Sequence, residues 1–355
     1  MPGLQDSLFD DAPAPSSHAD AGAPQAEVRK RSPATAGRVR PVAVPESLHA
    51  LAAALPRELH LGTSSWHFPG WAGLVWEREY AQPVLSRHGL AAYGRHPLLR
   101  GVSLDRSFYR PLSASQFAGY AAQVPDDFRF VVKAPSLVAD ALVRGEDGRG
   151  MQPNPAFLDP TLAVELFVAP AIEGLGTRIG ALVFQLSPLP AAFLARMPEM
   201  LDRLSAMLRA LPRLRPAAPE AVVAVEVRNP EWLTPELVAA LRDAGATYCL
   251  GLHPKLPPID KQIPLLRALW PRPLVCRWNL NRKHGAFGYE DAKGLYEPFD
   301  RLIDPDLETR DALARVIAGT VGAGQPAYVT INNKAEGSAP LSVAALAEAV
   351  RARLP

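Results

Sequence analysis

One short stretch, residues 221–233, joins a buried strand to charged residues that could do chemistry. Its β-branched valines predict a strand. Glu226 and Arg228 stand two positions apart, so their side chains lie on one face of that strand. A neighbouring guanidinium favours the charged form of a carboxyl group, so we expect Glu226 to be ionised. An ionised Glu226 is a candidate base or nucleophile but a poor general acid near neutral pH.

Polar side chains end the other predicted strands in the same way, and together they form a candidate site. Cations outnumber carboxylates among them, which predicts a pocket for a phosphate, a carboxylate or a nucleic acid. Glu226 and Asp105 could instead act as the paired carboxylates of a hydrolase, or form a structural ion-pair network with the neighbouring cations. The catalytic candidates are Glu226, Asp105 and Lys133, and the ligand-binding candidates are Trp66, Tyr109, Gln185, Arg228, His253, Arg277, Asn279, Asn332 and Asn333.

Eight short apolar segments, each followed by a helical segment, must position these residues. Such alternation predicts a parallel α/β sheet, and eight units favour closure into a (β/α)8 TIM-type barrel. An open doubly wound sheet is the alternative, but no glycine-rich phosphate loop follows the first strand. The predicted strands are residues 59–63, 101–105, 128–134, 180–186, a fifth that begins at 221, 247–252, 274–278 and 327–331.

Composition excludes several classes of protein. The 355 residues carry a net charge of +2 and two cysteines, Cys249 and Cys276, which supports neither a disulfide framework nor a cysteine-rich zinc site. A catalytic metal could be drawn from Asp105, Glu226 and His253, but no HxH or HExxH spacing supports one. We predict no cofactor, and a divalent metal is the unsupported alternative. No apolar run is long enough to span a membrane, and the acidic start is unlike a signal peptide, which favours a cytoplasmic location.

The first 48 residues are rich in alanine and proline and predict a disordered tail ahead of a single domain over residues 55–355. Within the tail, Gln5, Leu8 and Phe9 form a pentapeptide that resembles the peptide by which bacterial replication and repair proteins dock on the sliding clamp. A chance apolar pair is the alternative. A second segment, residues 279–305, is predicted to be a long loop in which cations alternate with aromatics, and it is either a binding lid or a solvated loop.

Six motifs together resemble the YecE-like family of TIM barrels, whose domain has no established function. They are LGTSSWHFPGW, DRSFYR, FRFVVKAP, LVFQL, VAVEVRNPEW and INNKAEGSA, and they span about residues 59–346. The resemblance implies a barrel with a polar mouth and supplies no reaction. Where that family has a glutamate and an asparagine on the second strand, this chain has Ser103 and Asp105. The seventh strand departs as well, with Arg277-Trp278-Asn279 in place of an Arg-His-Gly type ending.

Three classes of function are compatible with these features. The first is an enzyme that acts on an anionic or phosphorylated small molecule. The second is a protein that binds or processes nucleic acid, favoured by the clamp-like peptide and the basic aromatic loop but not by the modest net charge. The third is a barrel without catalysis that serves as an interaction scaffold.

Overall fold

The structure of the chain, a computed structural model, describes residues 38–145 and 150–355. The predicted docking peptide at Gln5, Leu8 and Phe9 lies outside the described residues. Among the helices of the described residues, none is long and apolar enough to cross a membrane.

Eight parallel strands close into a barrel, in which each strand pairs with its neighbours in sequence and the last pairs with the first. This confirms the predicted (β/α)8 fold and excludes the open sheet. The strands are β1 (Leu59–Thr63), β2 (Gly101–Leu104), β3 (Arg129–Lys133), β4 (Ile179–Gln185), β5 (Val222–Glu226), β6 (Thr247–Leu252), β7 (Leu274–Trp278) and β8 (Ala327–Ile331).

Alternate residues of the strands fill the barrel with small and branched side chains. Val131, Ala181, Val183 and Ala224 belong to a buried cluster inside it, separate from the core between strands and helices. Because side chains alternate along a strand, the next inward positions after this cluster carry the polar residues at the carboxyl ends. Closure requires close backbone approach between β1 and β2, where a Cβ on Gly62 would lie 1.9 Å from the carbonyl oxygen of Gly101.

Helices surround the barrel and bury one face each. In the helix Met197–Ala210, the buried residues Met200, Leu204 and Met207 recur at helical spacing. The helix Pro235–Asp243 begins where the Thr234 side chain accepts from the amide of Leu237. The other α-helices are Glu46–Ala53, Gln82–His88, Leu90–Tyr93, Arg106–Tyr109, Ala114–Ala121, Ser136–Ala139, Pro160–Ala163, Ala169–Leu175, Ala191–Leu194, Ile259–Ala268, Tyr289–Tyr296, Leu307–Gly322 and Ala339–Arg351.

The connections after β3 and after β7 both contain regular structure. The connection after β3 includes an antiparallel pair of short strands, Leu142–Arg144 and Gly150–Pro153. The segment after β7 contains the helix Tyr289–Tyr296, whose Ala292 and Tyr296 are buried. The segment predicted to be a long loop over residues 279–305 therefore contains a helix with buried residues, while many of its other residues are exposed.

Packed structure also begins earlier than the sequence indicated. Pro41 forms a bridge with Trp76, Val39 is buried, and the helix Glu46–Ala53 packs near the last helix of the barrel. The predicted tail ended at residue 48, but residues 38–48 belong to the folded domain.

Candidate functional site

A group of polar side chains gathers at the carboxyl-terminal mouth of the barrel. They come from the ends of five strands, β2, β3, β4, β5 and β7, or from the residues just after them, which is where (β/α)8 enzymes place their active sites. Seven of the predicted site residues take part, and we call them the mouth cluster: Asp105, Lys133, Gln185, Glu226, Arg228, Arg277 and Asn279.

Glu226 is the buried anion of the mouth cluster, with 0% of its side chain exposed. Its Oε2 accepts from Arg277 Nη1 at 2.7 Å, and its Oε1 lies 2.8 Å from Arg228 Nη1. The amide of Asn279 donates to Oε1 at 3.3 Å. The face shared by Glu226 and Arg228, which the sequence predicts from their spacing, is realised as this ion pair.

Arg277 connects the two carboxylates across the barrel. Its Nη2 donates to Asp105 Oδ2 at 2.8 Å, while Nη1 serves both Glu226 and the amide oxygen of Gln185, the latter at 2.9 Å. Gln185 also accepts from Arg228 Nη2 at 3.0 Å. Asp105 is held in turn by Ser103, whose hydroxyl donates to Oδ1 at 2.5 Å. The mouth is therefore one network of hydrogen bonds and ion pairs.

The network fixes the charge states of its buried members. Burial acts to raise the pKa of Glu226, but the charges of Arg228 and Arg277 outweigh it and hold that pKa below its usual value. Burial acts to lower the pKa of Arg277, and Asp105 and Glu226 raise it above the ordinary value. Glu226 and Arg277 are consequently both charged at neutral pH.

Some buried donors of the network have no hydrogen-bond partner among the described residues. Arg228 Nη1 lies close to Glu226 as an ion pair, but its direction does not meet hydrogen-bond geometry. Arg277 Nε also lacks an acceptor. Unsatisfied buried donors cost free energy, so these two atoms would gain from an additional acceptor.

Lys133 ends β3 and places a third cation beside the two arginines. Its side chain is largely buried, and its Nζ lies 3.4 Å from the centroid of the Phe108 ring. Burial lowers the pKa of Lys133 to about 7; the charge of Asp105 opposes this shift, and Arg277 adds to it. The Lys133 backbone is fixed where the Ser107 hydroxyl donates to its carbonyl oxygen at 2.6 Å.

Solvent reaches the mouth cluster from the side of Asp105, whose side chain is 26% exposed. Glu226, 0% exposed, lies beneath it. Two surface cavities of about 320 and 350 Å³ lie elsewhere, around the amino-terminal ends of the strands, and do not include the mouth cluster.

His253 stands beside the mouth cluster at the end of β6 and is buried. Its Nδ1 accepts from the backbone amide of Lys255 at 3.1 Å, which leaves the ring proton on Nε2. Burial, together with the charges of Arg228 and Lys255, lowers the pKa of His253 to about 3, so the imidazole is neutral. It can therefore donate one hydrogen bond to a ligand but cannot supply a positive charge.

The remaining predicted residues have other surroundings. Trp66 is buried against Tyr120, with ring centroids 5.9 Å apart, and Tyr109 is 47% exposed and packs edge-on to Phe108. The side chains of Asn332 and Asn333 hold the turn after β8. Asn332 accepts from the amide of Lys334, and Asn333 accepts from the Trp71 indole and the amide of Ala339.

Three residues outside the predicted set contribute to the mouth. Ser103 and Phe108 contact Asp105 and Lys133 as described above, and the signal for both was present in the stretch from Gly101 to Tyr109. The third is Phe287, which is 88% exposed with Lys255 Nζ 4.9 Å from its ring centroid. An exposed phenylalanine beside a lysine has no packing pattern that periodicity could reveal.

The described residues contain no group of three or more His, Cys, Asp or Glu side chains that could hold a metal ion. Cys249 and Cys276 are buried and free, and burial raises the pKa of each thiol. Both thiols are therefore protonated and pack as small apolar groups.

Comparison with known proteins places the chain in a family. The sequence model of DUF72, described as a protein of unknown function, matches residues 60–354. A DUF72 family protein from Enterococcus faecalis V583 superposes with a TM-score of 0.52 at 17% identity, covering 82% of this chain and 95% of that one. A DUF72 family protein from Thermotoga maritima MSB8 gives a TM-score of 0.49 at 22% identity, covering 82% and 98%. No curated protein matches the chain.

The match over residues 60–354 confirms the resemblance to the YecE-like family, which is the DUF72 family. The Enterococcus structure supports the fold at low identity. The chain therefore belongs to the DUF72 family of proteins of unknown function, and it has the closed α/β barrel described above.

Proposed function

We propose that this protein is an enzyme-like barrel that binds a small anionic, phosphate-containing molecule at its carboxyl-terminal mouth. The observation that carries the proposal is the charge balance of the mouth cluster. Three cations, Lys133, Arg228 and Arg277, face two carboxylates, and Lys133 Nζ has no ion-pair partner among the described residues. A phosphate group supplies the anion that Lys133 lacks and balances the excess cation.

The carboxylates give the site a second kind of contact. Asp105 is partly exposed and can accept a hydrogen bond from a ligand hydroxyl. Glu226 is ionised and is the candidate base, acting when the ligand takes over its contacts with the arginines. Anion donors next to hydroxyl acceptors suit a hydroxylated phosphate, such as a sugar phosphate.

Thermal unfolding with added ligands tests this proposal. The wild type, Lys133→Met and Lys261→Met are each heated with inorganic phosphate, glucose 6-phosphate or neutral glucose. Lys261 is a matched control because it is an exposed lysine in a surface ion pair with Asp260. We expect the phosphate compounds to raise the Tm of the wild type and of Lys261→Met, and to raise that of Lys133→Met less.

Equal shifts for the two lysine variants would contradict a ligand at the mouth cluster. No shift with any compound would contradict anion binding altogether and would favour a scaffold role. Glucose alone acting as well as glucose 6-phosphate would show that the charge of the ligand is not what the site recognises.

Nucleic acid is a second candidate ligand, and the rim of the mouth favours it. Phe287 and Tyr109 are exposed aromatics, and Lys255 lies against Phe287, a combination that suits base stacking and phosphate contact. Short single-stranded DNA added to the same assay tests this, with Phe287→Ala as the variant. A rise in Tm with DNA that is lost in Phe287→Ala would support nucleic-acid binding. A rise in Tm with glucose 6-phosphate but not with DNA would contradict it.

The clamp-directed role rests on the sequence of residues 5–9 alone. Deletion of residues 1–12 tests it by size-exclusion chromatography with a purified bacterial sliding clamp. A clamp-directed protein loses co-elution on deletion and keeps its Tm, because every helix and strand in the described part of the chain lies beyond the deleted segment. Absence of co-elution for the full chain would exclude the role.

A further inference from the structure

Lys133 differs from the other two cations of the mouth cluster. Arg228 and Arg277 both contact carboxylates, whereas Lys133 Nζ forms no ion pair or hydrogen bond within the described part of the chain. Its contact is with the face of the Phe108 ring. A cation over a ring gains about 0.5–2 kcal/mol, which is less than the cost of burying an ammonium without a carboxylate.

The nearby carboxylates are already occupied. Asp105 uses Oδ2 for Arg277 and Oδ1 for Ser103, and Glu226 lies between the two arginines. Both guanidiniums repel a proton on Lys133. The arrangement therefore lets Lys133 lose its proton near pH 7, so that part of the protein carries the cation and part carries the neutral amine. A neutral lysine amine in a water-poor site is a nucleophile for carbonyl carbon.

We propose that the ligand of this site carries a carbonyl group as well as its anionic group, and that Lys133 forms a Schiff base with it. This inference rests on the proposed function, since the anion contacts hold the molecule in place. It adds a substrate class, anionic aldehydes and ketones, and a covalent step.

The step balances without any further reactant. The lone pair of Nζ forms the C–N bond, the carbonyl π electrons move to oxygen, and a proton transfers from nitrogen to that oxygen to give a carbinolamine. The hydroxyl group then takes a second proton and leaves as water, and the nitrogen lone pair completes the C=N bond. These protons exchange with solvent at the exposed side of the site, next to Asp105.

The Lys133 amine and the residues that surround it come from two adjacent strands. Lys133 ends β3, and Asp105 and Phe108 follow β2, which pairs with β3 over Gly101–Leu104. The ring of Phe108 covers one side of the amine. A carbonyl carbon therefore approaches from the side that Phe108 leaves uncovered, with its anionic substituent towards Arg228, whose side chain is 11% exposed.

Reductive trapping on the full chain tests the proposal. The protein is incubated at pH 7.5 with glyoxylate, or separately with pyridoxal 5′-phosphate, and reduced with sodium cyanoborohydride. Peptide mass spectrometry then locates the adduct. We expect Lys133 to be modified at least tenfold faster than the exposed control Lys261, with a rate that rises through about pH 7.

Two variants complete the experiment. Lys133→Arg keeps a cation and removes the amine, so it should lose the fast adduct while still being stabilised by inorganic phosphate. Lys261→Arg should leave the fast adduct at Lys133 unchanged.

Adducts on exposed lysines with Lys133 unmodified by both aldehydes would overturn the Schiff base. If inorganic phosphate still stabilises the protein in that case, the proposed anion binding stands and the covalent step alone fails. If phosphate gives no stabilisation either, both fail together.

Discussion

The substitution Glu226→Gln examines the network at its most buried point. It removes a charge that is 0% exposed and that faces Arg277 at 2.7 Å and Arg228 at 2.8 Å. Arg277 keeps Asp105 as a partner, whereas Arg228 keeps only the amide oxygen of Gln185. Breaking a buried ion pair from one side costs about 3–5 kcal/mol. Since one of the two guanidiniums retains a carboxylate, we expect a loss of about 3 kcal/mol in the free energy of unfolding.

Glu220→Gln is the matched control for this substitution. Glu220 pairs with Arg129 at 2.7 Å, but its side chain is 52% exposed, so the same change should cost no more than about 1 kcal/mol. Urea unfolding of the wild type and both variants at pH 7 gives the two differences. A cost for Glu226→Gln equal to that of the control would refute the claim that the mouth network is buried and ionised.

The difference in free energy of unfolding between the wild type and Glu226→Gln should also depend on pH. The pKa of Glu226 is lower in the folded chain than its ordinary value of 4.5. Its charge therefore contributes stability that is fully present above pH 4.5 and is lost as the pH falls through the folded-state pKa. The gap between the wild type and Glu226→Gln should narrow below pH 4.5, and a gap independent of pH would contradict an ionised Glu226.

Four further substitutions, one of them a control, test separate parts of the account by urea unfolding. Lys133→Met should raise the free energy of unfolding at pH 7, because burial lowers the pKa of Lys133 from 10.5 to about 7. The gain should shrink as the pH rises towards 10.5. A loss of stability at pH 7 would contradict this prediction. Burial lowers the pKa of His60 from 6.5 to about 4, so the free energy of unfolding falls as the pH decreases from 6.5 to 4. His60→Phe keeps a ring against Tyr328 and should make this fall smaller. An unchanged slope of stability against pH would contradict a buried, neutral His60. Gly62→Ala should be strongly destabilising because its Cβ would meet the Gly101 carbonyl. Gly119→Ala, the control, lies at an open position in a helix and should stabilise the protein by about 1 kcal/mol. Similar effects at both positions would be inconsistent with the close approach of β1 and β2.

The sequence predicted the barrel because each strand is a short apolar run that ends in polar residues. The shared face of Glu226 and Arg228 followed from strand alternation alone. The partners of Arg277 could not be predicted in this way. Arg277 contacts Glu226 across 51 positions and Asp105 across 172, and only closure of the barrel brings them together.

Polar residues at strand ends also have structural uses that a sequence pattern does not separate from ligand binding. Asn333 follows β8 by two residues, much as Asn279 follows β7, yet its side chain joins the Trp71 indole to the start of the last helix. Phe287 is the opposite case, because this apolar residue in the segment after β7 is exposed at the rim of the mouth, where a ligand could contact it. In both cases the decisive contacts come from residues distant in sequence.

A crystal structure of the wild type grown with inorganic phosphate tests the central claim most directly. We predict a phosphate at the mouth, within hydrogen-bond distance of Lys133 Nζ and of Arg228 Nη1. A phosphate bound only elsewhere, for example at Arg213, Arg215 and Arg272 in the groove at the opposite end of the barrel, with water alone beside Lys133, would contradict the claim.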